Sequence, residues 1–383
     1  MIDHQETQFI SRKQPPGSER AARPHHAGDA EQQPLTVSII VPVHRGGEAF
    51  QTCLESIRSA SPPPDEVIVV ADGETDGSEN HALGLGMKVV RTPTRSGPAA
   101  ARNLGARLAS GDILLFIDAD VVVSPATIRT VLQAFHDHPD VSAIIGSYDD
   151  APAAGNFLSQ YKNLFHHYVH QHAHEQAFTF WGACGAIRRQ VFVEAGGFDE
   201  HYPQPSTEDI EFGYRLRALG HRLLLCKALE VKHLKQWSAG SLLRTDFFHR
   251  AVPWTQLILR TRRIDNDLNI DWASRIKVLL VYLLVLALGL GCWQREGWLA
   301  ALGLAVILLV LDAPLLRFFQ RKRGLGFALR VIPWQWFYYL YCGLGFAVGA
   351  MLYFIQDGRE RVPRPATLNP APLPSDGVLV RCP

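Results

Sequence analysis

The chain has 383 residues, enough to bury a large core and to hold more than one structural unit. Its 38 Lys and Arg against 37 Asp and Glu leave a formal net charge of +1, and no basic patch interleaved with aromatics is present, which argues against a nucleic-acid partner. The six cysteines are scattered without a C-x-x-C pair or zinc spacing, so a reducing compartment fits the soluble part of the chain.

Residues 1–34 are polar, rich in Pro, Gln, Glu and Arg, and lack an apolar signal-peptide core. They read as a disordered tail, and the domain after them is expected on the cytosolic side. The pattern changes at Val37, where Val-Ser-Ile-Ile-Val-Pro-Val predicts a buried strand, followed by a helix over 48–59. Residues 66–70 predict a second strand, ending at Ala71-Asp72-Gly73. Residues 87–90 predict a third, leading through Arg95-Ser96-Gly97-Pro98 into a helix over 99–109. Residues 113–117 are continuously apolar, as in a strand covered on both faces, and run out at Asp118-Ala119-Asp120. Strands alternating with helices at this spacing predict an α/β domain with a mostly parallel sheet and helices on both faces.

In open α/β sheets, ligands sit beyond the carboxyl ends of the strands. Asp118 and Asp120 in that position repel each other unless a cation lies between them. Their hard oxygens suit Mg²⁺ or Mn²⁺ held together with substrate phosphates. The alternative is a pair of solvated loop acids before a helix beginning near Ser124-Pro125. Asp72 can accept a hydrogen bond from a base or ribose, or can close an Asx-turn. Arg95 and Arg102, beside a glycine, suit a diphosphate, or sit on the helix surface. No G-x-G-x-x-G follows the first strand and no P-loop motif is present, so dinucleotide and P-loop readings lose support.

Farther along, Glu208-Asp209 open a helix. There they serve either as favourable charge at its amino end or as a carboxylate general base near an acceptor hydroxyl. Trp181-Gly182 precede an apolar strand and either line an acceptor pocket or belong to ordinary core. His166, His170 and His174 fall on one helical face at i, i+4, i+8, a geometry able to bind a transition metal; a solvated or acceptor-facing surface is the alternative.

The ordered set VSIIVPV, VIVVADGETDGS, RSGPAAARNLGA, GDILLFIDAD, GAIRRQVFVEAGGFDE and TEDIEFGYRLRALGH, over about residues 36–234, resembles family-2 glycosyltransferases of the GT-A fold. The resemblance implies inverting sugar transfer from a nucleotide-sugar. It implies that Pro42 and Asp72 border the nucleotide, with Arg102-Asn103 near it. Asp118 and Asp120 would hold the metal–diphosphate, His233 would be a further metal ligand, and Asp209 in Thr207-Glu208-Asp209 would be the base. The chain departs from the family at three places. Ala71-Asp72 stands where two acids are common, so the base of the nucleotide is not indicated. His44-Arg45 replaces an aromatic–Asn pair. Lys235-Gln236-Trp237 does not match the Q-x-x-R-W signature of processive synthases.

The last third is apolar. Residues 241–274 mix Leu, Phe and Trp with Arg and predict an interfacial amphipathic segment that Pro253 kinks or divides. Residues 276–293 and 298–316 are long and apolar enough to span a bilayer, and 331–355 form a third apolar run whose start is rich in Trp and Tyr. The basic run Arg317–Arg323 is expected to be a cytosolic loop, and Asp312 an end-of-helix residue. Whether the third run spans or re-enters stays open, since Arg359, Arg361 and Arg364 lie in the tail beyond it.

The expected organisation is a tail over 1–34, a catalytic domain over 35–240, an interfacial region over 241–274, a membrane region over 275–356 and a disordered tail over 357–383. The expected protein is a multi-pass enzyme of the cytoplasmic membrane with its catalytic domain facing the cytosol. It would transfer sugar from a nucleotide-sugar to a lipid or lipid-linked hydroxyl, with no nucleic-acid partner. A polyprenyl-phosphate glycosyl synthase is the enzymatic alternative. An inactive membrane scaffold with the same fold is the alternative of another class.

Overall fold

The computed structural model describes residues 34–73, 76–202, 204–266, 268–356 and 379–381. The expected tail over 1–34 lies outside them except for Pro34, and that over 357–383 except for Leu379–Arg381.

Among the described residues, ten strands form one sheet: β1 Val37–Val43, β2 Glu66–Asp72, β3 Lys88–Thr92, β4 Ile113–Ile117, β5 Val121–Val123, β6 Ala143–Tyr148, β7 Gln176–Ala177, β8 Cys184–Arg188, β9 Leu223–His233 and β10 Leu379–Arg381. Their order is β10-β3-β2-β1-β4-β8-β6-β9-β5, with β7 also pairing β9. Strands β3, β2, β1 and β4 are parallel, the part of the sheet whose strands alternate with helices in the sequence. Beyond β4 the sheet is mixed, because β8 runs antiparallel to both β4 and β6. The last three residues described, read as tail from composition, pair antiparallel with β3 at the edge.

Side chains alternate across each strand, so β1 feeds two cores. Ile39 and Val41 pack with Leu115 and Ile117 beneath the helices Gly47–Arg58 and Thr127–Asp137, which contribute Phe50, Leu54, Ile128 and Val131. Ile40 and Phe116 face the other way, toward Leu104 of the helix Pro98–Leu108 and the aromatic group Phe192, Phe198 and Phe212. That helix comes close to the sheet at Gly105, where a Cβ would lie 2.5 Å from Ile40. Burying strands on both faces is what makes them read as unbroken apolar runs. Strand order reverses direction between β1 and β4, leaving a crevice beyond their carboxyl ends.

After β9, Ser238 caps the helix Ala239–Arg244. A π-helical stretch, Thr245–Ala251, then continues into the helix Val252–Thr261. Pro253 follows the change from π- to α-helical pairing at Ala251–Val252, and the helical run continues through it. Within the segment, Leu242, Asp246, Val252, Thr255, Leu257 and Ile258 are buried.

Three long helices follow, Trp272–Gly291, Arg295–Arg323 and Leu325–Gln356. Each is long and apolar enough to cross a membrane. Gly345 and Gly349, one turn apart on the third, let the preceding segment approach closely. A Cβ on either would meet Ala251 at 2.6 Å or Thr255 at 2.7 Å. Two expectations change here. The basic run 317–323 is the end of the second helix, not a loop, and it is docked on the sheet domain: Arg323 donates to Gln160 at 2.6 Å and Lys322 pairs with Asp150. Asp312 is not at a helix end. It is buried between helices, 3.0 Å from Lys277 and accepting from the Tyr339 hydroxyl at 2.9 Å, a pairing between distant segments that spacing along one helix cannot reveal.

Candidate active site

A cavity of about 320 Å³ opens at the carboxyl ends of β1 and β4. Pro42, Asp72, Arg95, Arg102, Asp118 and Asp120 all contribute to its wall, joined by His44, Arg45 and Lys235. It is of a size for a small ligand, and its wall carries four cations, Arg45, Arg95, Arg102 and Lys235, against three acids, Asp72, Asp118 and Asp120.

The wall is built around Arg102. Its guanidinium is buried on the helix Pro98–Leu108 and reaches two carboxylates from different elements, Asp118 Oδ1 at 2.7 Å and Glu208 Oε1 at 3.0 Å. These bonds and charges more than offset burial and hold the guanidinium firmly protonated. Gly182 packs over it, since a Cβ there would lie 2.9 Å from Arg102 Cζ. Glu208, expected on the acceptor side, thus has one oxygen held by Arg102. Its second oxygen accepts from the Ser206 amide at 2.9 Å, and only 4% of the residue is exposed.

Asp209, the next residue, is bound by backbone amides and not by a guanidinium. It accepts from the backbone N–H of Gly182 at 3.1 Å and of Ile210 at 2.8 Å. Burial, reinforced by the charge of neighbouring Glu208, raises its pKa from 3.8 to about 7, against the pull of the Gly182 amide, Arg102 and Arg250. Adjacent acids with opposite fates, one locked in an ion pair and one poised near neutrality, are a recognised signature of acid–base roles.

At the far wall, Asp120 lies 3.4 Å from His233 Nε2. Burial works against its ionised form, but His233 and Lys235 outweigh burial and lower its pKa. His233 ends β9 and stacks on Tyr148 with ring centroids 4.4 Å apart. Among the described residues, no three His, Cys, Asp or Glu side chains are gathered closely enough to hold an ion as they stand. One oxygen of Asp118 is bound by Arg102 at 2.7 Å. By chemistry the donors still fit a hard divalent cation: Asp120 beside an imidazole, and Asp118 with about a third of its side chain open and one oxygen off Arg102.

Two other expected nucleotide contacts are already engaged. Asp72 accepts from Ser96 N at 2.7 Å, Ser96 Oγ at 2.6 Å, Thr92 Oγ1 at 3.0 Å and Gly97 N at 2.8 Å, so its carboxylate ties down the loop after β3. Gly73 beside it has φ +59°, and a Cβ there would meet Arg95 N at 2.4 Å. Asn103 is 1% exposed and clamps Phe198 through both ends of its amide, with Glu200 as a further partner, so it is turned away from the cavity. Arg95 is exposed and donates to Gln204 at 3.2 Å.

Trp181 packs edge-on to Tyr148 at 4.9 Å and beside His166 at 4.9 Å and His170 at 5.9 Å. The two imidazoles stack at 3.8 Å, and burial lowers the pKa of both. His174 is not on their face, because the helix Phe157–His172 ends before it, which removes the three-histidine metal geometry. Sequence reasoning missed Tyr148, Lys235 and Arg250. Only the charge of the last two and the position of Tyr148 at a strand end hinted at them.

Residues 38–196 match the sequence model of the family described as glycosyl transferase family 2. The chain is 26% identical over 268 residues to a validoxylamine A glucosyltransferase of Streptomyces hygroscopicus subsp. limoneus, covering 59% of this chain and 58% of that protein. It is 23% identical over 238 residues to the O-antigen chain rhamnosyltransferase RfbN of Salmonella typhimurium, covering 58% and 75%. The chain thus spans under two thirds of the length of the first of these relatives. In fold it is similar to a mannosyltransferase, PcManGT from Pyrobaculum calidifontis in complex with GDP-Man and Mn²⁺. The TM-score is 0.50 at 16% identity, over 85% of this chain and 88% of that one. Asp209 and His233 lie beyond the matched residues 38–196.

Proposed function

We propose that this chain, whose residues 38–196 belong to glycosyl transferase family 2, moves a sugar from a nucleotide-diphosphate-sugar to a hydroxyl of a lipid-linked acceptor at the cytosolic face of a membrane. The observation that carries the proposal is a cavity at the carboxyl ends of β1 and β4 whose Arg102 binds Glu208, next to Asp209, a carboxyl group outside the cavity wall with its pKa raised to about 7.

Nucleotide and diphosphate occupy the cavity, bordered by Pro42 and Asp72, with Arg95 and Arg102 on the diphosphate side. Asp118, Asp120 and His233 would hold a Mg²⁺ or Mn²⁺ ion, whose chemistry there is neutralisation of charge on the leaving diphosphate. Asp209 takes the proton from the acceptor hydroxyl as the oxygen attacks the anomeric carbon from the face opposite the leaving group. One displacement inverts that carbon, and no second carboxylate nucleophile is needed. An acceptor that brings its own phosphate oxyanion needs no base. A carboxyl group poised near neutrality therefore favours the hydroxyl acceptor over a polyprenyl-phosphate synthase.

The three apolar helices support membrane anchoring, which keeps enzyme and lipid acceptor on one surface and raises their encounter. The basic end Arg321-Lys322-Arg323 shares a side with the sheet domain, as the cytosolic orientation requires. Incubating membranes that contain the protein with a panel of labelled nucleotide-sugars tests the proposal. Label from one donor should enter an organic-extractable product, and the proposal fails if no donor is consumed.

A further inference from the structure

His233 is held at the metal corner from two directions. Its Nε2 lies 3.4 Å from Asp120, and its ring face lies on Tyr148, with centroids 4.4 Å apart and planes 9° from parallel. A metal-binding imidazole is usually fixed by a hydrogen bond to its other nitrogen, which sets the orientation of the ring. Among the described residues no such bond reaches His233. The flat surface that bounds its plane is the Tyr148 ring.

The backbone is shaped to make this contact. β6 and β9 run parallel with Ile145 opposite Leu225, and then the register shifts, so that Ser147 stands opposite Glu230 and Tyr148 opposite Val231. An unbroken ladder would set Tyr148 opposite Ala228, five positions short of His233 instead of two. Irregularities of this kind re-aim side chains beside active sites. Glycine at 146 allows the close approach, for a Cβ there would lie 2.4 Å from the Leu229 carbonyl oxygen. Val231 and His233, two apart on one strand, share a face, so a large ring opposite the first reaches the second. On the other side, β5 pairs Val121 with His233, and the Leu234 amide donates to the Asp120 carbonyl at 2.9 Å. The ladder therefore fixes both backbones, and the plane of the imidazole is left to side chains.

Tyr148 is itself braced. Its carbonyl accepts from His167 Nδ1 at 2.9 Å, while its ring packs on His166 at 4.4 Å and edge-on to Trp181 at 4.9 Å. Burial disfavours the charged forms of His166 and His170, so the bracing brings no positive charge toward a cation. We infer that Tyr148 is a positioning residue: its ring face holds the plane of His233 with Nε2 turned toward Asp120, ready for a divalent cation. The inference deepens the function above and rests on it for the metal role of His233.

The test uses the full chain purified in a neutral detergent and titrated with Mn²⁺ alone, bound ion being read from loss of the free-ion electron paramagnetic resonance signal. Tyr148→Leu should weaken Mn²⁺ binding by about ten- to a hundredfold, the usual worth of a residue that orients a metal ligand. Tyr148→Phe, which keeps the ring, should bind as wild type does. In a His233→Ala background, adding Tyr148→Leu should cost nothing further, because the two residues act as a unit. Unchanged binding in Tyr148→Leu overturns the positioning role and leaves the proposed function standing. Equal losses in Tyr148→Phe and Tyr148→Leu overturn the ring-face argument, and a full additional loss in the double variant shows that Tyr148 does not act through His233. No Mn²⁺ binding by wild type overturns the metal assignment in the proposed function itself, and this inference with it.

Discussion

Arg102 bridges Asp118 and Glu208, donating to the first at 2.7 Å and to the second at 3.0 Å. One side chain thereby joins the end of β4 to the start of the helix Glu208–Ala218, the two elements that carry the proposed metal acids and the proposed base. With Arg102 and Glu208 each about 5% exposed, breaking the pair leaves a buried charge without its partner. Arg102→Met is expected to destabilise the fold by about 3–5 kcal/mol, measured by chemical denaturation. Arg102→Met combined with Glu208→Gln should recover much of the loss. A neutral single variant would show that the bridge does not organise the site.

The raised pKa of Asp209 has consequences in opposite directions for stability and for transfer. Its folded value of about 7 lies above the ordinary 3.8, so the folded state resists ionising it. The stability cost is absent below the unfolded value, grows across the interval between the two, and is complete above about pH 7. Asp209→Asn should therefore melt at a higher temperature than wild type at about pH 8, with the difference vanishing toward about pH 4. The proposed base role needs the ionised form, so transfer should fall as pH drops below about 7. A pH-independent difference in melting temperature would contradict the assignment.

Asp120→Ala removes the acid that pairs with His233 across 3.4 Å. Mn²⁺-dependent nucleotide binding should weaken by at least about tenfold, and the rest should disappear with a chelator. An unchanged Mn²⁺ titration would place the ion elsewhere.

Much of this site was legible in the sequence because its residues sit at ends of elements. Asp118-Ala119-Asp120 follows an apolar run, and Glu208-Asp209 opens a helix, so position along the chain already places them beside a crevice. What was not legible is which polar group each one meets. Asn103 meets Phe198, 95 residues away, and Glu208 meets Arg102, 106 residues away. Such pairings depend on how helices are seated on the sheet, and periodicity carries no trace of them. The same limit applied to Asp312 and Lys277, whose pairing turned an expected helix end into a buried contact. Asp72 was ambiguous for a different reason: an acid before glycine closes turns as readily as it binds ligands, and here it ties down Ser96 and Gly97.

Leu379–Arg381 pair with β3, which puts them on the same side of a membrane as the sheet domain. Three complete spans between the sheet domain and that strand would put them on the opposite side, so the third apolar helix is expected to re-enter and not to cross. Reporters fused before Val37 and after Pro383 should lie on one side, and reporters on opposite sides would contradict the pairing of β10 with β3.

The most direct measurement compares wild type with Asp209→Asn in the presence of Mn²⁺, following donor binding and sugar transfer in the same membranes. Wild type should do both, while Asp209→Asn should keep nucleotide-sugar binding and lose transfer by about 10²–10⁴-fold, the usual worth of a positioned base. Transfer by Asp209→Asn at the wild-type rate would contradict the proposed mechanism outright.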